Sequence, residues 1–178
     1  MSHRQQIEFV TRVREQYPDM FKSKLVLEVG SLDINGSVRE FFNNGVYIGL
    51  DVEHGPGVDV VSLGQDYDMP DGSFDVVISC ECFEHNPAWI ATFANMIRLC
   101  KSGGLIIMSC ATTGRQPHGT SAHEPWSSPL TVKLGWDYYQ NLTEQDFRSE
   151  FDIEKYFVSY DFSVNDGSHD LYFYGRKF

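Results

Sequence analysis

The stretch Lys24-Leu-Val-Leu-Glu-Val-Gly-Ser-Leu-Asp-Ile-Asn-Gly36, followed by Tyr47-Ile-Gly-Leu-Asp51, decides the fold. It reads as a buried strand over 24–30, a tight turn at Gly30, a helix over 36–43 and a second strand over 46–51 that ends on a carboxylate. That is the first half of an α/β crevice for a nucleotide cofactor, in which the acid closing the second strand meets the ribose hydroxyls. Asp51 follows Gly30 at the expected spacing of about twenty residues.

Charge and glycine placement then select among cofactors. A dinucleotide brings an anionic pyrophosphate that needs bare backbone N–H groups, and G-x-G-x-x-G would put glycines at positions 32 and 35, where this chain has Leu32 and Asn35. Leu32 obstructs a close-lying pyrophosphate, which disfavours a nicotinamide-dependent oxidoreductase. Glu28 and Asp33 instead favour a cation, and S-adenosylmethionine carries both an ammonium and a sulfonium.

Working outward, the alternation continues with a short strand over 58–61, a strand over 74–80, a helix over 87–101 and a strand over 104–110, with Gly103-Gly104 as the turn before the last. Such alternation specifies an α/β fold with one doubly wound, mostly parallel sheet. The apolar runs Phe74–Ser79 and Leu105–Met108 suit central strands covered on both faces. Ahead of the sheet, Ile7, Phe9, Val10, Val13 and Tyr17 have helical spacing, and Pro18 ends an N-terminal helical segment, 1–18, whose helix spans 4–17.

Residues 111–141 lose periodicity and are rich in Gly, Pro, Ser, Thr and His, the texture of a lid over the substrate. Thr143 is placed to cap a following helix. Two β-rich runs, 152–162 and 169–178, flank the turn Asn165-Asp-Gly-Ser168 and give an antiparallel C-terminal hairpin.

A chain of 178 residues, 42% hydrophobic, suffices for one core, so residues 1–178 are expected to form a single domain. Its net charge of −11, with no cluster among 14 basic residues, makes nucleic acid an unlikely partner and a small molecule the expected one. The four cysteines, Cys80, Cys82, Cys100 and Cys110, form no C-x-x-C pair, so reduced thiols and a cytoplasmic location are expected. No apolar window is long enough for a membrane span, and Met1–Gln6 leads into a mixed helix, without a signal-peptide core. Oligomeric state is left open.

Several motifs, in order and at matching spacings, resemble the class I S-adenosylmethionine-dependent methyltransferases, of the small type-11-like kind. Val26-Leu-Glu-Val-Gly30 resembles the first motif, Asp51 the ribose acid, and Met69–Ser79 the stretch through the fourth strand. Phe83-Glu-His85 and Ile97-Arg-Leu-Cys-Lys-Ser-Gly-Gly104 resemble the family's Glu-His helix start and its Arg-x-Leu-x-x-Gly-Gly turn. The likeness is close over residues 24–110 and implies a seven-stranded sheet with its last strand inserted antiparallel. Two departures stand out: Leu32 and Ile34 replace the first motif's later glycines, and the acid facing the adenine amino group falls at either Gln65 or Asp66.

The resemblance implies a cofactor site drawn from Glu28, Gly30, Ser31, Asp33, Asp51, Val52, Gln65, Asp66 and Cys80, with Glu28 toward the methionine ammonium and Asp51 on the ribose. Glu81, leaving the fourth strand where the methyl group is expected, and the lid histidines His118 and His123 are the candidate catalytic groups. An imidazole near its usual pKa of about 6.5 can take a proton from a hydroxyl or amine. His85 stands at a family position that is often structural. Asn86-Pro-Ala-Trp89 resembles an amine-holding motif of nucleic-acid methyltransferases, but lies too far past the strand and reads better as a helix N-cap with Pro at the first helical position. His118, His123 and Glu124 match no dedicated metal pattern, so no metal is expected. The expected activity is methyl transfer to an oxygen or nitrogen of a small metabolite; the alternative is a cofactor-binding module without turnover.

Overall fold

The computed structural model describes residues 4–178; residues 1–3 of the expected N-terminal segment lie outside the described residues. Seven strands form one sheet: Leu25–Val29 (β1), Val46–Asp51 (β2), Val60–Val61 (β3), Phe74–Cys80 (β4), Cys100–Ala111 (β5), Phe157–Asn165 (β6) and Asp170–Lys177 (β7). Their order is β3-β2-β1-β4-β5-β7-β6. Strands β1 to β5 pair in parallel, and β7 enters antiparallel between β5 and β6. The chain therefore leaves β1 toward one edge and returns to β4 on its other side, so a crevice opens at the carboxyl ends of β1 and β4.

Strand alternation sends neighbouring side chains to two separate cores. On one face Val26, Val76, Ile78, Leu105 and Ile107 meet Phe9, Val10 and Val13 of helix α1, Arg4–Gln16, where Phe9 stacks on Tyr172 at 4.4 Å. On the other, Leu27, Val77, Ile106 and Met108 meet helix α2, Trp89–Leu99. The hub there is Phe93, fully buried and edge-on to Phe147 and Phe151 at 5.1 Å and to Phe173 at 5.7 Å.

Three short helices, α3, Pro129–Lys133, α4, Glu144–Glu150, and α5, Ile153–Tyr156, lie between β5 and β6. Thr143 caps α4 through a reciprocal capping box with Asp146. No helix among the described residues is long and apolar enough to cross a membrane.

Four elements differ from expectation. The strand expected over 104–110 runs over Cys100–Ala111, so Gly103-Gly104 lie inside it, where its pairing with β4 is irregular, and do not form a turn ahead of it. The helix over 36–43 is only a 3-10 turn, Val38–Phe41, because Phe42 stacks on Phe21 and Asn43 N–H is drawn to Phe21 O, which pulls the segment out straight. The helix over 87–101 is shorter at both ends, since Cys100 already pairs with Phe74 as strand. Residues 153–156 form a helical turn before β6 begins at Phe157.

Candidate functional site

The crevice is shaped by the turn after β1. Gly30 and Ser31 both donate their N–H to Leu50 O, at 2.8 and 3.0 Å, folding the exit of β1 over the end of β2. Gly30 has φ +80°, and a Cβ there would lie 2.6 Å from both Cβ and Sγ of Cys82. Only glycine serves both the backbone angle and the close approach.

At the end of β2, Asp51 accepts from Leu32 N at 2.9 Å through Oδ2 and from Val52 N at 2.7 Å through Oδ1. Burial raises its pKa, opposed by these two donors. The carboxylate is thus aimed by backbone, with acceptor capacity left for hydroxyl groups.

Two adjoining hollows flank this carboxylate, of about 440 and 360 Å³, and Gly30, Asp51, Cys82, His85 and Thr131 line both. The smaller is completed by Val52, Ser62, Gly64, Gln65 and Trp136. The larger is completed by Cys80, Glu81, Leu32, Ile34 and residues Ser127–Leu130. Among the described residues, no Lys or Arg lines either hollow.

The structure brings Gly30, Asp51, Val52, Gln65, Cys80 and Glu81 together at these hollows. Ser31 packs behind the turn, buried at 3% exposure, and Asp66 points outward. Asp33 does not line a hollow; its carboxylate accepts from Gly36 N at 2.7 Å. Glu28 lies buried behind the crevice, where desolvation pushes its pKa up to about 7 against the neighbouring Tyr47 hydroxyl and Arg39. Cys80 is buried beside it, and burial holds its thiol protonated.

Past β4 the chain turns sharply, with Glu81 at φ +53° and its carboxylate accepting from Ser109 Oγ at 2.9 Å. The next turn, Phe83–His85, presents His85 to both hollows. His118 stands edge-on to His85 with ring centres 4.9 Å apart, and Tyr139 packs on both. Burial lowers the pKa of His85 to about 3 and lowers that of His118, so both rings are neutral. His123 is exposed in the 111–141 segment, hydrogen-bonded to Thr120 and close enough to Asp137 to act on its charge.

Asn86 is not the N-cap of α2 and Pro87 is not its first residue: the helix begins at Trp89 with Ala88 as cap, and Asn86 supports it from two residues before the cap. Its Oδ1 accepts from Ala88 N at 2.8 Å and its Nδ2 donates to Thr92 Oγ1 at 2.8 Å, while Thr92 in turn donates to Gln65. The amide is spent inside the fold, and Pro87 precedes the helix. Thr131 and Trp136 carry no signal in the sequence, and Glu84 enters there only as the middle residue of the Phe83-Glu-His85 motif. The signal for Glu84 was local: three ionisable side chains, Glu81, Glu84 and His85, within five positions of a strand end.

Residues 24–108 match the family model described as a methyltransferase domain. No curated protein sequence gives a significant match. Among solved structures, a Burkholderia thailandensis 1,6-didemethyltoxoflavin-N1-methyltransferase, bound to 1,6-didemethyltoxoflavin and S-adenosylhomocysteine, superposes with a TM-score of 0.61 at 13% identity, over 99% of this chain and 91% of that one. Phosphoethanolamine N-methyltransferase 2 of Haemonchus contortus, bound to S-adenosylmethionine, gives a TM-score of 0.66 at 12% identity over 96% of this chain and 52% of that one. An S-adenosylmethionine-dependent methyltransferase from Archaeoglobus fulgidus gives 0.60 at 13%, over 96% and 94%. At such identities the superpositions establish the shared sheet, while the sequence match runs from the start of β1 into β5 and takes in the Gly30 turn and Asp51. The sequence match takes in just under half of the chain, so residues 24–108 are similar to a methyltransferase domain, and the whole chain has the fold of the S-adenosylmethionine-dependent methyltransferases on which it superposes.

Proposed function

We propose that the chain transfers a methyl group from S-adenosylmethionine to an oxygen or nitrogen of a small metabolite. The observation that carries this reading is the pair of hollows at the switch point, both bordered by Gly30 and Asp51 and lined, among the described residues, by no Lys or Arg. Asp51 would accept from the ribose hydroxyls, Gln65 and Val52 would border the adenine, and Glu28 would attract the ammonium. The cofactor supplies the activated methyl group. The protein aligns the acceptor and excludes water, since proximity and orientation account for much of the rate in such displacements.

The larger hollow, bounded by Glu81, His85 and lid residues 127–131, is the acceptor side. Residues 111–141 act as its lid, held at one point by Lys133 Nζ on Glu53 Oε2 at 3.0 Å. The net charge of −11 disfavours a nucleic-acid substrate. Four free cysteines suit a reducing, cytoplasmic setting.

A second reading, a cofactor-binding module without turnover, draws on Leu32 and Ile34, which line the larger hollow where the family's first motif has glycine. Incubation with a methyl-tritiated donor and a panel of small amines, phenols and hydroxy acids separates the two. Labelled product supports methyl transfer; tight donor binding with no product across the panel supports the module.

A further inference from the structure

Glu84 is fully buried, and neither of its carboxylate oxygens has a hydrogen-bond partner. A carboxyl group removed from water with nothing to satisfy it is costly in either protonation state. The nearby guanidinium of Arg115 attracts the carboxylate but gives it no hydrogen bond, its Nη1 being engaged by Asp170 Oδ1 at 3.0 Å and Ser168 O at 2.6 Å. What does surround Glu84 is imidazole. His85 is 4% exposed, and its Nδ1 is buried without a partner. His118 is 8% exposed and directs Nδ1 at Gln116 O, 3.1 Å away, which leaves Nε2 for another use.

One ligand atom from each of these three residues lies within 4.8 Å of the others. We propose that Glu84, His85 and His118 form a binding site for one first-row divalent metal ion at the acceptor side of the crevice. Two imidazole nitrogens and one carboxylate suit Zn²⁺, Fe²⁺, Co²⁺ or Mn²⁺, whereas Mg²⁺ and Ca²⁺ prefer oxygen throughout. With metal–ligand distances of about 2.1 Å the three atoms would draw together slightly. A backbone carbonyl already orients His118, as outer partners of metal-bound histidines do.

The site lies where it can act on the acceptor, because His85 lines both hollows and Glu81 the larger one. Three protein ligands leave a position for a substrate hydroxyl, which loses its proton more readily on a metal. This role rests on the methyl-transfer reading and selects oxygen as the accepting atom. The O–CH₃ bond forms as the S–CH₃ bond of the donor breaks, and the hydroxyl proton passes to water.

The test uses the untagged full chain, stripped with a chelator and titrated with Co²⁺ and with Zn²⁺. The expected result is saturation at one ion per chain, with Co²⁺ absorption bands in the visible, and a loss of affinity of at least about tenfold in Glu84→Gln and in His118→Ala. His118→Ala, on an irregular loop, carries the comparison should Glu84→Gln not fold. No saturable binding of either ion by the folded chain, or equal affinity in the folded variants, overturns the site. S-adenosylhomocysteine is titrated into the same metal-free protein: cofactor binding without metal binding overturns the metal site alone, and metal binding without cofactor binding overturns the methyl-transfer reading alone.

Discussion

The N–H of Leu32 donates to Asp51 Oδ2 at 2.9 Å, tying the turn after β1 to the carboxylate that closes β2. The same carboxylate thus shapes the empty crevice and is proposed to hold the ribose, so its two roles can be separated by substitution. Asp51→Asn keeps an acceptor for one backbone N–H and removes the charge. Affinity for S-adenosylhomocysteine should fall about ten- to a hundredfold by calorimetry, with only a small change in Tm. Asp51→Ala strips both Leu32 N–H and Val52 N–H of their acceptor and should also cost about 1–3 kcal/mol of stability.

Gly30 tests the packing of the turn. Gly30→Ala should cost about 1–3 kcal/mol for its positive φ alone, before the 2.6 Å contacts with Cys82 are added. Adding Cys82→Ala should not rescue it, because the Cβ of residue 82 remains in the way; Cys82→Gly should restore part of the loss. Denaturant midpoints of the two double variants decide this, and equal recovery in both would contradict the geometry.

Glu28 gives the pH dependence. Its folded-state pKa, about 7, lies above the usual 4.5, because burial disfavours the charge. Folding is therefore favoured with the carboxyl protonated, and stability is lost as pH rises from the unfolded value through about 7. A shift of this size corresponds to roughly 3 kcal/mol at most. Glu28→Gln should match the parent near about pH 4.5 and exceed it in stability above about pH 8, while binding the cofactor more weakly there. Urea unfolding at the two pH values checks this; a difference independent of pH would count against it.

Phe93 anchors the core behind the crevice. Fully buried among Phe83, Phe147, Phe151 and Phe173, it should cost about 3–5 kcal/mol when replaced by alanine. The measurement is equilibrium unfolding in urea. A loss under about 1 kcal/mol would show that the aromatic cluster relaxes around the cavity.

The sheet was legible because its strands declare themselves: Val46–Asp51 and Phe74–Cys80 have the bounds that their apolar runs suggest. Residues 36–43 misled because Val38, Phe41 and Phe42 carry an apolar pattern that a helix and a turn pinned to Phe21 satisfy equally well. At the site, Gly30 and Asp51 followed from strand ends, whose side chains the topology must bring together. Asp33 carries the same charge, yet it spends it on Gly36 N. Glu84 and His118, 34 positions apart, meet only because the segment after β5 folds back over the end of β4, a tertiary contact that no local spacing announces.

The central claim is that the hollow between Gly30 and Asp51 takes a positively charged adenosine derivative. Isothermal titration of the full-length wild-type chain with S-adenosylmethionine, and separately with NADH, tests it most directly. The account predicts saturable binding of one S-adenosylmethionine per chain and none of NADH. Saturable NADH binding with no heat from S-adenosylmethionine would contradict it.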